Sequence, residues 1–128
     1  MSAWTTEELT RIGEAGEMDI ATRRGDGTVR KPRIIWVVRV GDSLYVRSVN
    51  GPDAAWYRGT RTRMQGHIDA GGVERVVTFV DAGRTDDGAL DDAIDEAYRA
   101  KYRYSPSAVS YINSAQARST TIELVPVS

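Results

Sequence analysis

A chain of 128 residues with 41% hydrophobic and 27% charged residues has the length and balance of one soluble globular domain, long enough for a real core. Its formal net charge of −1 excludes a global field that draws it onto nucleic acid or an anionic membrane, so any anion site has to be local. With no cysteine and one histidine, His67, it has no disulfide, no thiolate nucleophile, no Cys-built zinc site and no two-His metal site.

The segment MSAWTTEELTR at the N-terminus lacks the apolar core of a secretory signal. No apolar run approaches the ~20 residues of a membrane span. The expected compartment is the cytoplasm.

Thr5 and Glu8 fit a capping box, with Trp4 and Leu9 as the accompanying hydrophobic staple. They predict a helix that runs to about Glu14 and stops at Gly13 or Gly16. A short strand, Met18 to Thr22, follows, and 23–28 (Arg-Arg-Gly-Asp-Gly-Thr) is a polar turn. The strongest strand signal is Pro32 to Val40, where Ile34, Ile35, Trp36, Val37, Val38 and Val40 are nearly continuous. Gly41-Asp42-Ser43 turns the chain into the strand Leu44 to Ser48.

Asp53 is positioned to cap a short helix reaching about Arg61. Gln65 to Ala70 and Val73 to Val80 form a second hairpin around Gly71-Gly72. Asp86 or Asp87 begins an amphipathic helix with Leu90, Ile94, Ala97, Tyr98 and Tyr102 on one face. Its acids Asp91, Asp92, Asp95 and Glu96 are expected on a solvated face. Ser107 to Gln116 is a further helix, and Thr120 to Val127 the last strand. The fold class is therefore α+β in a single domain, 1–128. Six antiparallel strands close into a small barrel, which removes exposed sheet edges, with helices flanking it.

The early turn 21–32 (Ala-Thr-Arg-Arg-Gly-Asp-Gly-Thr-Val-Arg-Lys-Pro), the strand after it, "LYVRS", a loop and "WYR" resemble the FMN-binding split barrels. These include pyridoxamine-phosphate-oxidase-like proteins and deazaflavin-dependent nitroreductases. Arg24, Gly27 and Arg30 hold places comparable to the nitroreductase turn, although Asp26 stands where that pattern has serine. More closely, "PRIIWVVRVGDSLYVRSVNG", "AGGVERVVTFV", "AIDEAYRAKY" and "TTIELVPV" resemble DUF2255, a small family grouped with these barrels. The resemblance implies a six-stranded split barrel, a homodimer, and a cofactor such as FMN or the deazaflavin F-420 in a groove between subunits.

The candidate cofactor-binding residues are Arg24, Arg30, Arg33, Arg47, Ser48, Asn50, Trp56 and Arg58. Arg47 offers a bidentate permanent charge and Ser48 a hydroxyl or amide donor to a phosphate. The loop at Asn50 and the next helix start add backbone N–H groups. Asp53 stands against this, because a carboxylate there satisfies the helix end. Arg47 reads equally as the partner of an acid, and Trp56 reads as a pocket wall or, by preference, as core. Arg33 enters an apolar strand, which leaves a buried anion partner and none equally open. On the phosphate reading, Arg47→Ala weakens cofactor binding and leaves stability nearly intact.

Tyr57, Tyr102 and Tyr104 are the candidate substrate-pocket residues, with Tyr111 behind them and Tyr98 in the core. His67 is read as structural or surface. No catalytic residue is assigned, and none is needed if a cofactor carries hydride chemistry. The leading function is a flavin- or F-420-dependent oxidoreductase acting on a small organic molecule. The alternative is a cofactor-free split barrel that binds a small molecule or has repurposed chemistry. Neither nucleic acid nor membrane is an expected partner.

Overall fold

The computed structural model describes residues 3–83 and 88–127. Helix α1 spans Thr6–Glu14 with the complete Thr5–Glu8 capping box, and Trp4 packs on the same core as Leu9. Strand β1 is Met18–Thr22, and the second hairpin is β5 (Gln65–Ala70) and β6 (Val73–Asp81). Gly71 and Gly72 both have positive φ, 59° and 83°, as a two-residue hairpin turn of the primed type requires.

The sheet has seven strands, not six. The run from Pro32 to Val40 is broken at Trp36 into β2 (Arg33–Ile35) and β3 (Val37–Val40). Strand β2 pairs with β1, while β3 pairs with β4 (Ser43–Val46). The order is β2-β1-β5-β6-β7-β4-β3, with β7 at Ile122–Pro126 and every pairing antiparallel. One segment of chain thus supplies both edges of the sheet, and its bend at Trp36 brings them round into a nearly closed split barrel. The continuous apolar run concealed this corner because its two halves are apolar for different reasons. Val37 is fully buried in the barrel, whereas Ile34 is 65% exposed.

Two cores result. Inside the barrel lie Met18, Ile20, Val37, Leu44, Val46, Ile68, Val77, Phe79 and Leu124, joined by Leu9 and Ile12 of α1 and by Tyr57. Each such side chain contributes roughly 1.5–3 kcal/mol of transfer free energy. Outside it, Val38 and Tyr45 pack under Ile94 and Tyr98 of helix α3 (Gly88–Lys101), under Tyr102 just beyond its end, and under Val109 and Ile112. The predicted caps Asp86 and Asp87 lie outside the described residues.

Three further boundaries differ from expectation. Gly51, at φ 75°, and Pro52 start a 3-10 turn over Gly51–Asp53, which moves the start of α2 to Ala55–Thr62 with Ala54 as its N-cap. Asp53 therefore does not cap α2. The stretch 107–116 is two helices, α4 (Pro106–Ile112) and α5 (Ala115–Arg118), because the Ser114 hydroxyl accepts from the Ala117 amide and restarts the helix. Thr120 and Thr121 precede β7. They tie back to the end of β4 by accepting hydrogen bonds from the Ser48 amide (2.8 Å) and Arg47 Nε (2.9 Å).

Candidate functional site

The split in the barrel opens a cleft of about 580 Å³. One wall is β2 and its bend, Arg33 to Trp36. Another is the loop after β4, with Arg47, Val49 and Asn50. The start of α2 gives Ala54, Ala55 and Trp56, and α4 adds Ala108 and Ile112. The rim is apolar and open, since Ile34 and Val49 are 65% and 48% exposed. Asn50 is fixed through its carbonyl, which accepts from Gln116 Nε2 at 3.1 Å.

Beside the cleft lies a smaller cavity of about 160 Å³ that shares Arg33, Ala55 and Trp56 with it. Its other walls include Arg24, Arg30 and Lys31. The turn before β2 places these cations. Asp26 accepts from the Thr28 amide and hydroxyl at 3.0 and 2.7 Å. The Arg30 amide donates to the Thr22 carbonyl at 2.8 Å, and Arg23 bridges to Val29. Hydrogen bonds from the Thr28 amide and then its hydroxyl hold the Asp26 carboxyl below its ordinary value.

Arg24 donates to Thr28 Oγ1 and to the Val29 carbonyl, both at 3.4 Å. Among the described residues none of Arg24, Arg30, Lys31 and Arg33 is paired with a carboxylate. Arg30 Nε is buried without a hydrogen-bond partner. Arg33 is exposed, which decides against a buried anion partner for it and in favour of an open corner. Among the described residues no side chain caps α2, whose first two residues, Ala55 and Trp56, line the same corner. A helix N-terminus beside four cations that form no salt bridge among the described residues favours an anion, although the Arg24 charge also acts on the Asp26 carboxylate.

Arg47 belongs elsewhere. Its side chain is fully buried, and Nη1 meets Asp95 Oδ1 at 2.5 Å and Asn113 Oδ1 at 3.1 Å. Nη2 lies 3.6 Å from Asp91 Oδ1 and donates to the Asp91 carbonyl at 3.4 Å. With Nε on Thr121, the guanidinium is occupied by the protein and cannot also grip a phosphate as the sequence suggested. Asp95 is correspondingly not on a solvated face, being only 5% exposed. Its second oxygen accepts from Arg118 Nη2 at 2.6 Å. Burial pushes the Asp95 carboxyl up, but hydrogen bonds from Arg118 and Arg47, with their charge, outweigh it and hold the group below its ordinary value.

Ser48 is also removed from the cleft. It is 1% exposed and its hydroxyl is buried without a partner. Arg58 is exposed on α2 and lines neither cavity. Of the cofactor-binding candidates, then, Arg33, Asn50 and Trp56 line the cleft, Arg24 and Arg30 line its basic corner, and Arg47 contributes a wall only.

None of the three predicted pocket tyrosines lines the cleft. Tyr57 is core; its hydroxyl accepts from Arg61 at 3.2 Å beside a separate cavity of about 120 Å³. Tyr104 is 72% exposed. Tyr102 is fully buried, with its hydroxyl shared between the Gly16 and Val37 carbonyls at 3.1 and 3.4 Å. His67 accepts from Arg23 at 3.1 Å.

Sequence reasoning missed Trp36 and the α4 residues as cleft walls. The only signal for Trp36 was a single indole in a run of aliphatic β-formers.

Lys101 closes the end of α3. Nζ donates to the Val37 carbonyl at 2.5 Å and lies 5.2 Å from the Tyr102 ring centroid. Burial lowers its pKa from 10.5 to about 8. The folded chain thus disfavours the ammonium fully below pH 8, and this group's contribution raises stability as pH climbs from about 8 towards 10.5. An NMR titration of the Lys101 side chain is expected to give a midpoint near 8. A midpoint at the ordinary lysine value would mean that the carbonyl and ring compensate for burial.

These features define a class: a split barrel whose open seam forms an apolar cleft running into a basic corner. Several solved structures share its fold. A protein of Listeria innocua provisionally assigned as a pyridoxamine 5'-phosphate oxidase matches with 12% identity and TM-score 0.58, over 94% of this chain and 90% of that one. An FAD-binding protein from Mesorhizobium loti matches with 11% identity and TM-score 0.55, over 98% and 91%. An F420 reductase matches with 13% identity and TM-score 0.50, over 93% and 92%. At these identities the likeness is one of fold. No curated protein matches the sequence. The family model for DUF2255, an uncharacterized protein conserved in bacteria, matches residues 8–124, and the chain belongs to that family.

Proposed function

We propose that the cleft binds a flavin-type cofactor, FMN or F-420, and that the protein is a cytoplasmic oxidoreductase acting on a small organic molecule. The observation that carries this is the cleft itself. An apolar cleft with indole walls adjoins, through Arg33, Ala55 and Trp56, a small cavity lined by four cations, none of them in a salt bridge with a carboxylate among the described residues. A planar ring linked to a phosphate needs both parts, and the buried, unpartnered Nε of Arg30 supplies a donor for its anion. Arg24, Arg30, Lys31, Arg33 and the α2 amides would hold the phosphate; Trp36, Trp56 and Ile35 would exclude water from the ring. The bound cofactor would supply hydride transfer. The structural neighbours named for F420 and FAD support the reading at the level of fold. The exposed apolar rim at Ile34 and Val49 supports a homodimer in which a second copy covers the cleft.

One observation favours a cofactor-free small-molecule binder instead: Arg47, the strongest phosphate candidate by sequence, is held internally. Titrating purified protein with FMN and with F-420 while following fluorescence quenching separates the two. Saturable quenching by either supports the redox reading; a colourless protein that binds neither but retains a non-flavin ligand through purification supports the other.

A further inference from the structure

Trp36 occupies the single residue between β2 and β3, where the chain turns the corner of the barrel. Its indole is stacked on Tyr102, with centroids 3.8 Å apart and planes 8° from parallel. Tyr102 is immobilised in turn by its buried hydroxyl, by Tyr98 at 6.2 Å and by Lys101 over its ring. Trp36 lines the cleft and Tyr102 does not. Trp56 is placed differently. It stands edge-on to Tyr57, at 89° and 6.3 Å, and lines both the cleft and the basic corner. It therefore sits at their junction, whereas Trp36 lines only the apolar part.

We propose that Trp36 is the stacking platform of the cleft. It receives a planar, electron-poor heteroaromatic ring on its uncovered surface and extends the Trp36–Tyr102 stack by one member, while the ligand's linker passes Trp56 to put its anion in the basic corner. An electron-rich indole held rigidly by a parallel ring is already organised for offset stacking, so little side-chain freedom is lost when the ligand arrives. This rests on the cofactor reading and adds to it a residue that selects for flat aromatic ligands over aliphatic anions of similar charge.

The test is FMN titration of the wild type and of Trp36→Leu, Trp36→Phe and Trp56→Leu, each checked for folding by thermal unfolding. Trp36→Leu is expected to weaken FMN binding about tenfold and to abolish any long-wavelength band in the bound flavin's spectrum. Trp36→Phe restores most of the affinity because a flat ring remains. Wild-type affinity in a folded Trp36→Leu protein, or a loss in Trp36→Phe as large as in Trp36→Leu, overturns the proposal. If Trp36→Leu does not fold, the phenylalanine variant and the spectral band decide alone. Failure of the wild type to bind FMN or F-420 at all is a different result, since it removes the cofactor reading and this inference with it.

Discussion

Replacing Asp95 by alanine is expected to destabilise the fold by about 3–5 kcal/mol, the scale for breaking a buried ion pair from one side. Arg47 has no route to water, because its side chain is fully buried and every nitrogen is directed at a protein acceptor. Without Asp95, among the described residues only the more distant carboxylate of Asp91 faces that charge, at 3.6 Å. The loss is a large share of the total stability of a domain this size, typically about 5–15 kcal/mol. It is read from urea unfolding as a drop in midpoint with unchanged slope. Arg47→Ala should be comparably damaging, the reverse of what a phosphate-binding arginine would show.

The same network sets a pH limit. The folded-state pKa of Asp95 is depressed, so its contribution is present above the ordinary value of 3.8 and is lost as pH falls through the lowered one. Arg118→Ala should cost less than Asp95→Ala, because the Arg118 side chain is 34% exposed and water replaces part of what it loses. The network also matters to the site. It ties α3 and the end of α4 to the end of β4, and so positions Ile112 and Val49 as opposing walls of the cleft.

The second large effect is on binding. Arg30 and Arg33 line the basic corner without carboxylate partners, so the double variant Arg30→Ala/Arg33→Ala should fold with stability within about 0.5 kcal/mol of wild type. Its affinity for an anionic cofactor should fall by about 1.5–3 kcal/mol for each charge-assisted hydrogen bond removed, or roughly ten- to a hundredfold per residue. Riboflavin has the same ring as FMN without the phosphate, and its binding should be almost unaffected. Calorimetry of both ligands on both proteins checks this pattern. Equal losses for FMN and riboflavin would show that the variant had damaged the cleft rather than the anion site.

Much of the fold could be read from local signals. The capping box at Thr5 and Glu8, the paired glycines at Gly71 and Gly72, and the α3 stripe of Ile94, Tyr98 and Tyr102 are each satisfied within a few residues. The corner at Trp36 could not be read, because it is set by which distant strands β2 and β3 pair with. An apolar run has the same sequence pattern whether straight or bent. The start of α2 moved because Gly51 and Pro52 used Asp53 in a 3-10 turn.

At the site, the basic turn and Trp56 were found because exposed cations and a flat ring signal themselves by type. Arg47 could not be assigned. Its two readings, phosphate ligand or acid partner, differ only in whether Asp95 reaches it across 48 residues of chain. The tyrosines were misplaced for a related reason. Helical spacing put Tyr102 on the buried stripe, and family likeness placed it in a pocket; packing gives it to the stripe, where it supports the cleft only through Trp36.

The central claim is that the cleft and its basic corner together hold a planar cofactor with a phosphate. The most direct measurement is equilibrium titration of the wild type and the Arg30→Ala/Arg33→Ala protein with FMN and with F-420, followed by fluorescence. Saturable binding of at least one of them to the wild type, strongly weakened in the double variant, is the expected result. Binding of neither at tens of micromolar, or binding indifferent to both arginines, would contradict it.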